Sequence, residues 1–210
     1  MGKRFTPDEL ARRIAQRVDA LPRGSGRQLI ALAGPPACGK STVSEDLCAL
    51  LNKAGRRAAI LPMDGFHLHN DLLDARGLRA RKGAPDSFDL AGFHSLLIRL
   101  KTEAELYGPR FDRDGDLSLG SAVHFGPEIR TVIVEGNYLL LDAPGWRELQ
   151  DCWDLSIFIG AEMDELRRRL LARWDALEIS ADVALSKVEK NDLPNAELVM
   201  TRSLPADLVF

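Results

Sequence analysis

Long apolar runs are missing from this 210-residue chain, and none approaches the ~18 residues that a membrane-spanning helix needs. No signal-peptide pattern opens it. Cysteine is scarce: Cys38, Cys48 and Cys152 are the three, with no C-x-x-C pair and no zinc-ligand spacing. An odd, motif-free set of thiols argues against a disulfide framework and for a reducing, cytoplasmic setting. Excess basic charge is also absent, since the net charge is −3, so there is no overall footprint for nucleic acid. No repeat, low-complexity segment or interdomain linker interrupts the chain. What remains is ordinary globular composition, 45% hydrophobic and 28% charged, at a length that fills one core and is short for two.

The chain is organised around Gln28–Ala54. Gln28–Ala33 is an apolar run of strand length, and Gly34-Pro35-Pro36-Ala37-Cys38-Gly39-Lys40-Ser41 then fits G-x-x-x-x-G-K-[ST]. Val43, Leu47, Leu50 and Leu51 follow at helical spacing, with Gly55 as a C-cap. Strand, glycine-bearing loop and helix in this order are the context of a P-loop. Its amides and the positive end of the helix dipole can wrap a polyphosphate. Gly34, Pro35, Ala37, Cys38, Gly39, Lys40, Ser41 and Thr42 are therefore the candidate nucleotide-binding positions. Lys40 would reach the β- and γ-phosphates, and the Ser41 hydroxyl would take one position on Mg²⁺. Cys38 reads as a small filler that oxidation could reach.

Elsewhere the pattern alternates. Thr6-Pro7-Asp8-Glu9 starts a helix after a loose end at 1–5. Arg57–Pro62 is a buried strand that runs into Met63-Asp64-Gly65-Phe66-His67. Leu68–Ala75 forms a short helix, Arg76–Asp86 is polar and rich in breakers, and Asp89 caps an amphipathic helix. Tyr107–Gly126 reads as a long irregular segment, and such loops are often functional. Asp112, Asp114 and Asp116 mimic a calcium loop, but Leu117 replaces its glycine and Val123 its closing glutamate, so calcium is rejected. Arg130–Val134 is a strand ending at Glu135, the Walker B pattern. Asp154–Gly160 is another strand, and Glu162–Ala176 is a helix carrying Arg167, Arg168, Arg169 and Arg173. Ser180–Lys190 is a helix, Asn191–Asn195 a turn, Ala196–Met200 a fifth strand, and the tail a further edge. The expected fold is α/β: a three-layer α/β/α P-loop NTPase fold with a mainly parallel five-stranded sheet, one domain over 1–210.

A phosphate cradle and two strand-end acids then share one sheet edge. Phosphoryl transfer asks for positioning, charge neutralisation and a carboxylate to take the acceptor's proton. Asp64 is the first choice for that base and Glu135 for the metal shell, and the two roles are open to exchange. A GTPase-like switch is the competing class, but N-K-x-D does not occur, and D-x-x-G at Asp112–Gly115 follows no strand. A degenerate kinase that regulates transport is a third reading, opposed by intact Lys40, Ser41, Asp64 and Glu135.

These blocks resemble the P-loop kinases that include uridine kinase, phosphoribulokinase and pantothenate kinase. MDGFH at Met63–His67 is similar to the group's strand-two block, and RKGAPDSFD at Arg81–Asp89 to its substrate-side P-[DE]-x-[FY]-D block. GPRFD at Gly108–Asp112 resembles P-x-Y-D, with Phe111 for the usual tyrosine. EGNYLL at Glu135–Leu140 matches E-G-x-x-x-L, and KNDLPNAEL at Lys190–Leu198 resembles the turn near the adenine. The branch it looks most like is bacterial and labelled nucleoside/nucleotide kinase-like, with some members called fructose transport system kinases.

The resemblance implies an ATP- and Mg²⁺-dependent kinase for a small hydroxyl-bearing metabolite such as fructose, with pantothenate or a nucleoside as alternatives. It implies a substrate-side region at 64–126 and a lid at 162–178 that sets Arg169 and Arg173 over the phosphates. Trp174 departs from the group's common Asp there. Asp64, His67, Asp86, Arg110, Asp112 and Asn137 are the implied substrate-side residues, and Asn195 the implied nucleotide contact near the adenine. A helix cap or a turn is the competing account of Asp86 and Asp112, and a structural or solvent-facing role is the favoured account of His67. Expected partners are a small-molecule substrate and, as an open alternative, a second copy in a homodimer, with neither nucleic acid nor membrane.

Overall fold

The structure is a computed structural model that describes residues 5–22, 24, 26–176 and 179–210. Positions 1–4 of the expected loose end and the last two of 162–178 lie outside the described residues. Helix α1 (Pro7–Asp19) opens on a reciprocal cap: the Thr6 side chain accepts from the Glu9 amide, while the Glu9 carboxylate accepts from the Thr6 amide. Strand β1 (Gln28–Ala33) leads through the glycine loop into α2 (Lys40–Lys53), and β2 (Ala58–Pro62) into a 3-10 turn at Met63–Phe66. Helices α3 (Asn70–Ala75) and α4 (Leu90–Thr102) follow. Next come β3 (Leu106–Asp112), β4 (Leu117–Phe125), β5 (Thr131–Gly136) and β6 (Leu155–Phe158). Helices α5 (Met163–Asp175), α6 (Ala181–Lys187) and α7 (Leu193–Arg202) precede β7 (Leu208–Val209), with a π-helical turn at Val188–Asp192 joining α6 to α7.

Five parallel strands form the main sheet in the order β2-β5-β1-β6-β7. Alternation along β1 sends Leu29, Ala31 and Ala33 into one core and Ile30 and Leu32 into the other. The first core packs against α4 and the hairpin base, the second against α1 and α2. A sheet covered on both faces explains why its strands read as continuous apolar runs. This is the three-layer α/β/α arrangement with helices on both sides. Register brings the carboxyl ends level: Ala33 pairs with Gly136, and Pro62 with Glu135. The glycine loop, Asp64 and Glu135 therefore emerge along one edge.

Two expectations are corrected. Ala196–Met200 is helical, and the fifth strand of the sheet comes from the tail at Leu208–Val209. Pro194 fits the first turn of a helix, and Ala196 and Val199, three apart, are its buried apolar pair. Tyr107–Gly126 is an antiparallel hairpin of β3 and β4 instead of an irregular loop. Leu106 and Gly108 are buried while Tyr107 between them is exposed, a period of two that the Gly, Pro and Asp content obscures. Arg27, buried just before β1, ties the hairpin base to the rest. Its guanidinium donates to the carbonyls of Leu100, Glu103, Ala104, Phe125, Gly126 and Ile129. Among the described residues no helix is long and apolar enough to cross a membrane.

Candidate active site

The glycine loop folds as its composition dictates. A Cβ on Gly34 would lie 2.3 Å from the Ile159 carbonyl oxygen, so no side chain fits there. Ala37 at φ +62° and Gly39 at φ +103° are left-handed, and such reversals curl successive amides toward one point. Helix α2 starts directly after Gly39, putting Lys40, Ser41 and Thr42 in its first turn. Lys40 is 7% exposed. Its ammonium donates to Pro35 O and Asn137 Oδ1, each at 2.8 Å, and sits 3.9 Å from Cys38 Sγ. Both strong partners are neutral, so a buried cation at the mouth of an amide cradle is left to meet an anion. That arrangement fits a nucleotide's phosphates.

Glu135 is buried at the end of β5, with Oε2 3.4 Å from Ser41 Oγ. Burial first, then the charge of Asp64, push its pKa up to about 7, and Lys40 pulls the other way. Two carboxylates that repel one another beside a hydroxyl are a hard-oxygen donor set, which a divalent cation such as Mg²⁺ would relieve. Asp64 lies in the 3-10 turn after β2, and Arg113 Nη2 approaches it to 3.4 Å. The hairpin is pressed onto that turn, since a Cβ on Gly65 would meet Pro109 O at 2.6 Å.

Asp64, His67, Asn137, Arg173 and Asn195 line one cavity of about 630 Å³, together with Arg113, Lys82, Trp174 and Asp192. His67 stacks on Phe88 with centroids 4.0 Å apart, and burial lowers its pKa. Lys82 lies over the Phe111 ring at 4.9 Å and bonds Asp116 Oδ1 at 2.7 Å. Phe111 thus offers a face where a tyrosine would add a hydroxyl. Partial desolvation, then the like charge of Arg113, lower the pKa of Arg173. Arg169 instead donates to Ala37 O and Cys38 O at 3.2 Å, laying α5 against the glycine loop. Trp174 Nε1 donates to Asp192 Oδ2 at 2.7 Å, with Lys187 over its ring at 4.8 Å.

Asp86, Arg110 and Asp112 do not line this cavity. Asp86 and Arg110 are exposed, and Asp112 ends β3 half-buried. Asn195 is buried in the first turn of α7, a helix where a turn was expected. Arg113 and Lys82 are the residues that sequence reasoning passed over. The Asp114-Gly115 dipeptide, a turn signal between two strands, would have placed Arg113 at a hairpin tip.

No protein-family model matches the chain. It is 40% identical to the Escherichia coli K12 protein YggC over 185 residues, covering 87% of this chain and 77% of that one. Identity to a candidate uridine kinase of Schizosaccharomyces pombe is 34% over 217 residues, covering 97% and 89% of the two chains. A crystal structure from Silicibacter sp. TM1040, described as a candidate fructose transport system kinase, superposes with a TM-score of 0.91 at 46% identity, covering 99% and 100%. Near full-length likeness, together with the glycine loop, Walker B end and sheet order, identifies the protein as a member of the P-loop kinase group that includes uridine kinase, pantothenate kinase and phosphoribulokinase.

Proposed function

We propose that this kinase transfers the γ-phosphoryl group of ATP to a hydroxyl of a small metabolite, with a sugar such as fructose as the first acceptor to test. Pantothenate and nucleosides are the alternatives. One observation carries the reading: Glu135, 3.4 Å from the Ser41 hydroxyl of the glycine loop, and Asp64, in the turn that follows the neighbouring strand, emerge at the same sheet edge as Lys40. In this reading the loop amides and Lys40 hold the β- and γ-phosphates. Mg²⁺, held by the Ser41 hydroxyl and Glu135, would neutralise charge spread over those phosphates. A carboxylate oxygen of Asp64 accepts the acceptor's hydroxyl proton as the new O–P bond forms and ADP leaves. Arg113 and Arg173 supply positive charge to the transferred group. Residues 64–126 form the substrate side of a single kinase domain, and 162–178 act as a lid that keeps water from the γ-phosphate. Free thiols at Cys38, Cys48 and Cys152 suit a reducing, cytoplasmic setting.

A coupled assay of ADP release across sugars, nucleosides and pantothenate tests the reading. Asp64→Asn is expected to keep nucleotide affinity and to lower turnover by ~10²-fold or more. Near-normal turnover in that variant would move the base to Glu135. Slow turnover indifferent to every acceptor would replace the kinase reading with a regulatory switch.

A further inference from the structure

Strand order puts Asn137 beside the glycine loop. Gly136, the last residue of β5, pairs with Ala33, the last of β1, and Asn137 and Gly34 are the next residues on the two strands. The exit from β5 has little freedom. A Cβ on Gly136 would lie 2.5 Å from Met63 Cβ, so the chain presses on the Asp64 turn there. On the other side Tyr138, a wholly buried ring, donates its hydroxyl to Gly83 O at 2.6 Å. Asn137 is fixed between these two anchors, and its side chain reaches Lys40.

That contact has a defined sense. An ammonium has only hydrogens to give, so the atom 2.8 Å from Lys40 Nζ is the amide oxygen of Asn137. Pro35 O, also at 2.8 Å, is the second acceptor. The carboxylates at the same edge look elsewhere: Glu135 lies 3.4 Å from Ser41 Oγ, and Asp64 lies 3.4 Å from Arg113 Nη2. The choice of residue at 137 therefore decides whether Lys40 meets a nucleotide as a free charge or a neutralised one. Aspartate has the shape of asparagine and would close an ion pair with an ammonium that is only 7% exposed. Charge-assisted bonds are about twice as strong as neutral ones, so a phosphate oxygen would compete with a carboxylate where it now competes with an amide.

We propose that Asn137 is a positioning residue for nucleotide binding, its Oδ1 holding the Lys40 ammonium at the mouth of the cradle through a neutral hydrogen bond that leaves the charge for the phosphates. The inference rests on the nucleotide half of the kinase reading above and not on its acceptor. Asn137 acts through Lys40, and so passes from the substrate side, where family resemblance set it, to the nucleotide side.

Asn137→Asp changes charge and not shape, and Asn137→Leu keeps the volume and removes the acceptor. Each is compared with the wild type in two measurements. One is the Kd for a non-hydrolysable ATP analogue with Mg²⁺. The other, without nucleotide, is the rate at which acetic anhydride labels Lys40, followed by mass spectrometry. Labelling reads the contact itself, because a carboxylate partner keeps the amine in its charged, unreactive form. Asn137→Asp is expected to slow the labelling roughly fivefold or more and to raise the Kd roughly tenfold or more. Asn137→Leu is expected to speed the labelling and to raise the Kd by less, about two- to fivefold. Asn137→Ser, too short to reach the ammonium, stands in should the leucine variant fold poorly. Equal labelling of Lys40 in the three proteins overturns the assignment, as does an unchanged Kd in Asn137→Asp. Equal Kd losses in the two variants overturn it as well, since an amide that merely supports the loop would be missed whatever the charge of its replacement. A wild type that binds the analogue but phosphorylates no acceptor removes the kinase reading and leaves this role standing, whereas one that ignores the analogue removes both.

Discussion

Glu135 holds its proton longer than a surface glutamate does, and the fold is responsible. Its pKa rises from 4.5 to about 7 through burial and the nearby Asp64. The unfolded chain ionises near 4.5, so between pH 4.5 and 7 the folded state binds more protons than the unfolded one. Stability therefore falls as pH rises through that window and levels off above it, by roughly 3 kcal/mol at most. Melting temperatures of the apoprotein from pH 4.5 to 8 should show this slope, and Glu135→Gln should flatten it. Lys40→Ala should abolish nucleotide turnover while circular dichroism stays that of the wild type, because the lysine's partners are a loop carbonyl and Asn137 at the sheet edge. Lys40, Ser41, Asp64 and Glu135 were legible in the sequence because each sits at a fixed offset from a strand end. Arg113 and Lys82 were not, because only the hairpin and the 79–87 turns carry them to Asp64 and Phe111.

At the scale of elements, the β3–β4 hairpin and α5 close on the site from different directions. The hairpin seats on the Asp64 turn with no room for a methyl group at Gly65. Gly65→Ala should cost about 1–3 kcal/mol in urea denaturation and should lower turnover with little change in nucleotide affinity, since it displaces Arg113 and not the glycine loop. Unchanged stability would mean that the hairpin yields freely. Helix α5 is joined to the start of α7 by Trp174 and Asp192, so the Trp174 departure from the family's Asp has a definite partner. The helices were legible from caps and spacing, as Thr6, Asp89 and Gly55 show. The hairpin and α7 were not. Breakers masked the alternation of Leu106 and Gly108, and the short run Ala196–Met200 carries too few residues to separate a period of two from one of 3.6.

For the whole molecule, the strand order was the part least accessible from sequence. Alternating strands and helices announce a parallel sheet, but no local pattern states that β5 inserts between β1 and β2. Arg27 shows the same limit: an isolated arginine ahead of a strand reads as surface, yet it gathers carbonyls from α4, its following loop, the hairpin base and the approach to β5. Arg27→Met should destabilise the protein by on the order of 3–5 kcal/mol, because it strands several buried acceptors at once. Chemical denaturation would measure it, and a loss below about 1 kcal/mol would mean that water replaces the guanidinium.

The insertion of β5 has a temporal side. β1 carries the phosphate loop, yet its neighbours in the sheet, β5 and β6, are made roughly a hundred residues later. During synthesis or refolding the cradle has no walls until the distal half arrives, and pairings of such long range form slowly. Nucleotide can then recognise only the finished article: it should slow the escape from the native state and leave the rate of reaching it unchanged.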